Sequence, residues 1–404
     1  MFLIGLIREG KIPADNRVAL TPLQCKWLQN NFPELEVVVQ PCANRCFKDE
    51  EYKNEGIGLK EDLSDCDLLL GIKEVPVEQL IAGKRYMFFS HTKKKQPHNQ
   101  QLFQSVIEKG ITLIDFECLE HDDGQRILGF GFFAGVVGAH NGMMAYGKRT
   151  RLYNLCRVGE CRGYKELIHT YFGLKLPNIK VAVTGSGRVS SGVLEIMNLL
   201  DVIEVEPDEF LQRDFSYPVY VHLKGQDLYK HKTTGAYNRD DFHNNPKNYR
   251  SKFEPFLTKT DILMNGTYWE KDVPQLFKWH DLLLENFRIQ TIADISDDFE
   301  GSIPCNLGSS TIEYPVYGVD PVSRQVIDPY QKGGVDMMAI SNLPNELPRD
   351  ASRYFGDQLI KYVIEDIVKG GSPVIERATL VKHGRLCERF SYLQDYAEGK
   401  IRLS

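Results

Sequence analysis

At 404 residues, with 42% hydrophobic and 26% charged side chains, the chain is too long for one ordinary domain and has the composition of a folded globular protein. A net charge of −6, with neither half strongly basic, argues against a nucleic-acid binder, which needs a basic face for phosphates. Nine cysteines fall in no two-plus-two zinc spacing, so no metal site is expected and free thiols in a reducing cytoplasm are.

Met1–Ile7 is apolar but is followed at once by Arg8 and Glu9, so it reads as a first β-strand rather than a signal peptide. The run Phe130–Ala139 is too short to span a bilayer, and no membrane association is expected. Up to residue 130, short apolar runs alternate with polar helical stretches. Leu3–Ile7, Glu36–Gln40, Leu68–Ile72, Tyr86–Phe89 and Thr112–Asp115 read as strands; Pro22–Asn31 and Asn99–Lys109 read as helices. This alternation implies a parallel α/β sheet. Phe130–Tyr146, rich in Gly and Ala, reads as a tightly packed helix linking two domains, and Lys148–Gly163 is polar without a clear pattern.

A second α/β pattern starts at Lys180. Val181–Thr184 reads as a strand, Gly185–Gly192 as a turn, Val193–Leu200 as a helix and Val202–Glu206 as the next strand. Asp261–Met264 and Gln290–Asp294 read as later strands of the same sheet, with a polar insertion over 211–258. Arg349–Lys369 has helical apolar spacing, stopped by Gly370 and Gly371, and could return to the first domain.

The turn is the most informative unit. Gly185 and Gly187 fit the first two positions of a dinucleotide fingerprint: one permits the tight turn, the other lets the backbone approach a pyrophosphate on the helix N-terminus. Ser186, Arg188 and Val189 complete the expected cradle, while Ser190 stands where Gly or Ala is usual. Glu206 closes the next predicted strand, where an acid would hold the ribose 2′-hydroxyl and repel a 2′-phosphate, with Glu204 and Asp208 as neighbouring candidates for the same role. NAD is therefore expected, with NADP left open.

In the first domain Lys73 and His91 each follow a predicted strand, and functional groups collect beyond the carboxyl ends of such strands. A partly desolvated lysine near another cation can act as a base, and histidine as a residue type suits proton transfer near neutrality. Together they would serve amine oxidation and imine hydrolysis.

Several motifs carry a family resemblance. Asn16–Pro22, Gly71–Pro76 and Phe89–His91 resemble the alanine dehydrogenase and transhydrogenase superfamily. Leu113–Glu120, Gly129–Gly135 and Asn342–Ala351 resemble lysine-forming saccharopine dehydrogenase. Thr184–Gly192, Val205–Glu209, Asn265–Glu270, Asp294–Asp297, Thr311–Pro315 and Tyr354–Asp357 resemble most the lysine–ketoglutarate reductase half of the bifunctional lysine-degrading enzyme. The stretch 148–177 has no counterpart in that resemblance. The resemblance implies Lys73 as the base for the amine proton and His91 as the group that activates water on the imine. It implies Arg17, Lys94, Arg126 and Phe130 in the substrate site, with Glu117 tuning the lysine and histidine. It places Asp297 near the nicotinamide ribose, with Gly266 and Asn342 in the cofactor set. Reductase relatives take NADP, against the reading of Glu206.

The expected architecture is two Rossmann-like α/β domains, 1–137 with 343–404 returning to it, and 138–342, with substrate in a cleft between them. The expected reaction interconverts saccharopine with lysine and 2-oxoglutarate. An alanine dehydrogenase and a catalytically inactive nucleotide-binding protein are the alternatives, and self-association is left open.

Overall fold

Apolar runs bounded by Gly, Pro and Asp become the strands of a first sheet. They are β1 (Phe2–Leu6), β2 (Leu35–Val39), β3 (Gly58–Leu59), β4 (Leu68–Leu70), β5 (Arg85–Phe88) and β6 (Thr112–Asp115), all mutually parallel in the order β3-β2-β1-β4-β5-β6. An antiparallel pair, Thr379–Lys382 and Arg385–Leu386, extends the β6 edge. The structure, a computed structural model, describes residues 1–400. Met1–Phe130 and the segment from Pro348 onward make one compact unit, and Gly131–Leu347 makes another. The boundaries fall at 130/131 and 347/348, where the sequence suggested 137/138 and 342/343.

Local chemistry sets the element ends in the first unit. Helix Pro22–Asn31 opens with Pro at its first turn, where a missing N–H costs nothing. The Thr21 hydroxyl accepts from the Gln24 amide and the Gln24 side chain accepts from the Thr21 amide, a reciprocal cap. The helix of 348–368 contains one π-helical turn, Ile360–Ile364, and ends before Gly370 and Gly371, both at positive φ. Ile4, Leu68, Leu69, Tyr86, Phe88 and Leu113 are buried on a core that the C-terminal Phe355, Leu359 and Val363 complete.

In the second unit β7 (Lys180–Thr184) is central and wholly buried. Three later parallel strands lie on one side of it: Ile262–Asn265, Thr291–Asp294 and Val335–Met338. The antiparallel strands Val316–Asp320 and Gln325–Ile327 finish that edge. On the other side the order departs from expectation. The helix after the glycine turn starts at Arg188, earlier than Val193, and leads to β8 (Ile203–Glu204) at the sheet edge. The strand between β7 and β8 is β9 (Val219–Leu223), from the stretch read as an insertion. That stretch also holds the hairpin Tyr229–His231 with Tyr249–Ser251. Glu206 is not a strand residue; it caps the short helix Pro207–Gln212. Both sheets are largely parallel, as the alternating pattern requires.

The glycine-rich helix Gly131–Thr150 lies in the second unit and crosses Arg188–Leu199 at very short range. A Cβ on Gly192 would lie 2.0 Å from the Phe132 carbonyl oxygen, and one on Gly135 would lie 1.9 Å from the Val189 carbonyl oxygen. Backbone meets backbone, so no side chain can step aside. Gly192→Ala is expected to cost about 1–3 kcal/mol, the usual penalty of overpacking. A lowered urea midpoint with unchanged slope is the expected result; an unchanged midpoint would mean that the helices separate freely.

Candidate active site

Lys73 and His91 each stand three residues past a strand end, after Leu70 of β4 and Phe88 of β5. β4 and β5 are hydrogen-bonded neighbours, so the two segments leave the sheet side by side. Glu9 fixes the first segment. Its half-buried carboxyl accepts the Ile72 amide at 2.6 Å and the Lys73 amide at 2.9 Å. Burial, aided by the Asp15 charge, pushes its pKa up to about 8. Ser90 and Asp115 fix the second: the Ser90 amide donates to Asp115 at 3.2 Å and its hydroxyl donates to the same oxygen.

Lys73 is largely withdrawn from water. Burial, then the Arg17 guanidinium, lower its ammonium to about 8; Asp15 and Glu74 pull the other way and Lys11 adds to the lowering. These four charges, with burial, are the strongest influences on Lys73. Arg17 is 3% exposed and forks onto Asp15, Nε to Oδ1 at 2.9 Å and Nη2 to Oδ2 at 2.5 Å. Burial opposes the charge on Asp15, yet Arg17 holds that carboxyl at about 2. Arg17 also sits 4.1 Å from the centroid of the Phe130 ring, which stacks on Phe355 at 4.7 Å.

His91 takes a left-handed backbone, φ 49°, and its ring stacks over Phe89 at 6.1 Å. Its Nδ1 lies 2.6 Å from Glu74 Oε1, and Glu74 Oε2 receives Lys11 Nζ at 2.8 Å. Burial would raise the Glu74 carboxyl, but His91 and Lys11 hold it well below the usual carboxylate range. An ionised Glu74 accepts the proton of Nδ1 and leaves Nε2 as the reactive nitrogen. Glu74 is therefore the acid on this histidine. Glu117, which resemblance put there, lies 3.9 Å from Arg126 Nη1. Arg126 is 6.0 Å from the Phe89 ring centroid and 40% exposed, so it reaches the same aromatic wall as His91 while keeping donors in solvent. Lys94 is exposed. Glu9, Asp15, Glu74 and Asp115 escaped the sequence reading. Only Glu74, next to Lys73, carried a signal there.

The second unit builds a dinucleotide cradle. Gly185 has φ +100°, and a Cβ on it would lie 2.7 Å from the Gly266 carbonyl oxygen, so this position accepts only glycine. Ser190 is buried and its hydroxyl donates to the Thr184 carbonyl at 3.1 Å, replacing the usual third small residue with a tie back to the strand. Gly187 has nothing within 4 Å of a Cβ and starts a twelve-residue helix through Arg188 and Val189. Ser186 and Gly187 are exposed, and free helical N–H groups at such an end favour a phosphate.

Asp297, past strand Thr291–Asp294, has φ 55° and accepts the Ser309 hydroxyl on Oδ2 at 2.6 Å; its buried Oδ1 makes no hydrogen bond of its own, and the Asn306 side chain lies close to the carboxyl. Burial, reinforced by Asp294, raises it to about 6. A buried acceptor without a donor fits a ribose hydroxyl. Together with the open Gly187, this makes the residues fit a nicotinamide dinucleotide. Asn342 caps the turn Leu343–Glu346 at the end of the unit. Among the described residues no His, Cys, Asp or Glu cluster could hold a metal ion, and no helix is long and apolar enough to cross a membrane.

The chain is similar to several known proteins in sequence and in fold. Residues 5–137 match the model of the alanine dehydrogenase/PNT N-terminal domain. The chain is 31% identical to mitochondrial alpha-aminoadipic semialdehyde synthase of Mus musculus, over 99% of its own length and 48% of that protein. It thus spans about half the length of the first curated relatives it matches. It is 24% identical to the NAD(+), L-lysine-forming saccharopine dehydrogenase of Yarrowia lipolytica, covering 92% of this chain and 94% of that one. Among solved structures, an L-alanine dehydrogenase superposes with TM-score 0.65 at 16% identity, covering 98% and 99% of the two chains. The transhydrogenase of Sinorhizobium meliloti gives 0.59 at 14% identity, covering 95% and 98%. These two likenesses concern the fold.

Proposed function

We propose that this chain is a member of the saccharopine dehydrogenase and lysine–ketoglutarate reductase family, within the alanine dehydrogenase and transhydrogenase superfamily, and that it oxidises the CH–NH bond of saccharopine reversibly with a nicotinamide cofactor. The observation that carries the reading is the pair of proton-handling groups on neighbouring strands, Lys73 with its lowered ammonium and His91 with Nδ1 held by Glu74.

The cofactor, held by Gly185–Val189, Gly266, Asp297 and Asn342, would exchange a hydride with the substrate carbon. The chain's own side chains do the rest. Lys73, neutral, takes the proton of the secondary ammonium, so that the nitrogen lone pair can form the C=N bond as the hydride leaves. Water then adds to the imine carbon and gives its proton to His91 Nε2. The Lys73 ammonium then returns its proton to the carbinolamine nitrogen, the C–N bond breaks as the hydroxyl proton passes to the now neutral Lys73, and lysine and 2-oxoglutarate separate, leaving Lys73 and His91 to release their protons to solvent. Excluding bulk water until the imine has formed keeps these steps in order.

Saccharopine bears three carboxylates and needs several cations. Arg17 is already forked onto Asp15. Arg126, loosely paired and partly exposed, is the better clamp for a remote carboxylate. Arg126→Ala is expected to raise KM for saccharopine about tenfold or more while kcat changes less, because it removes binding common to ground and transition states. Steady-state kinetics check this. Robust turnover of alanine, with saccharopine inert, would replace the reading by a smaller amino acid.

A further inference from the structure

We infer that Lys224, at the end of β9, selects the cofactor by receiving the 2′-phosphate of NADP, and that Glu206 takes no part in the selection. The inference rests on the nucleotide-binding reading above and comes from the order of the second sheet.

In a dinucleotide-binding sheet the adenosine ribose lies beyond the carboxyl end of the strand beside the fingerprint strand, on the side away from the later strands. The residue there decides between a 2′-hydroxyl and a 2′-phosphate. Usually that strand is the next one in sequence, which is why an acid about twenty residues past the turn marks NAD. Here the next strand in sequence, β8, is displaced to the edge, and β9 takes the place beside β7.

The register is tight. Thr184 pairs with Leu223, the Gly185 amide donates to the Leu223 carbonyl at 3.0 Å, and His222 Nε2 lies 2.7 Å from the Gly185 carbonyl oxygen. The glycine turn is thus tied directly to the end of β9, and Lys224 is the first residue beyond. Glu206 follows β8, whose next residue, Val205, donates its amide to Tyr220 of β9 at 2.9 Å. Glu206 therefore stands beyond the edge strand β8, one strand spacing removed from the β9 end where the ribose is expected, and Lys224 stands at that end itself.

Lys224 is exposed, with its ammonium available to a ligand. The nearest acid on this segment, Asp227, is committed: its carboxylate accepts the Lys224 amide at 2.9 Å and caps the helix Gly225–Leu228. Tyr237 packs close to the turn, its hydroxyl 2.2 Å from where a Gly225 Cβ would be. A turn with an exposed lysine at this place is a point-charge receptor for a phosphate, with the Asp227 carboxylate turned to the backbone amide.

The test is equilibrium binding of NADPH and NADH to the intact protein without substrate, followed by fluorescence, for the parent, Lys224→Ala and Glu206→Ala. The parent should bind NADPH more tightly. Lys224→Ala should lose about tenfold or more in NADPH affinity and leave NADH within about twofold, as removal of one phosphate contact implies. Glu206→Ala should leave the ratio of the two unchanged. A parent that prefers NADH, a ratio unmoved by Lys224→Ala, or a ratio moved by Glu206→Ala would each overturn the inference while cofactor binding stands. A parent that binds neither dinucleotide would overturn the reading beneath it.

Discussion

Replacing Lys73 with methionine is expected to lower the rate of saccharopine oxidation by about 10²–10⁴, the usual worth of one general base. The sign of the pH dependence follows from its surroundings. Burial and Arg17 disfavour the ammonium and bring its titration to about 8. Below that value the group is mostly charged and cannot take a proton, so the parent rate of oxidation should climb with pH through about 8 and level off above it. The methionine variant should lose this limb of the profile along with the rate. His91→Gln should lose a similar factor. The double variant should lose less than the product of the two, since groups serving one site are not additive. Strict multiplication in the double variant would mean that the two act in separate places.

Gly187→Val is expected to abolish dinucleotide binding and leave the fold intact. A side chain there meets no protein atom within 4 Å, so the second unit has no reason to unfold. It would fill the space a pyrophosphate needs at the start of helix Arg188–Leu199. Calorimetric titration and thermal melting read the two effects separately. The contrast with Gly192 is informative, because the same kind of change there drives backbone into backbone. Retained binding in Gly187→Val would remove the turn from the cofactor site.

Much of this arrangement was legible in the residues. The strands of the first sheet were visible as short apolar runs because both faces are buried, and Thr112–Asp115 and helix Pro22–Asn31 have the bounds their sequence suggested. β9 was not seen. Val219-Tyr-Val-His-Leu223 is a good strand sequence, but it lies among polar Tyr, Lys and Asn residues, and composition over a wide window hid a five-residue run. Losing β9 misplaced Glu206, because spacing along the chain does not report which strands are neighbours. Lys73 and His91 were singled out from their places after predicted strands, and both do follow strand ends. The carboxylates that set their properties come from distant sequence: Glu9 reaches the Lys73 amide across 64 residues, and Glu74 meets His91 across 17. Such partners depend on tertiary packing, as does the burial that lowers the Lys73 ammonium.

The central claim is that this chain breaks the carbon–nitrogen bond of saccharopine, and product stoichiometry tests it most directly. Saccharopine and oxidised cofactor would be mixed with the protein, reduced cofactor followed by absorbance, and the quenched products identified by mass spectrometry. One lysine and one 2-oxoglutarate for each cofactor reduced is the result expected, with no reduction when alanine replaces saccharopine. Cofactor reduction that yields glutamate instead of lysine, or that proceeds with alanine and not with saccharopine, would contradict it.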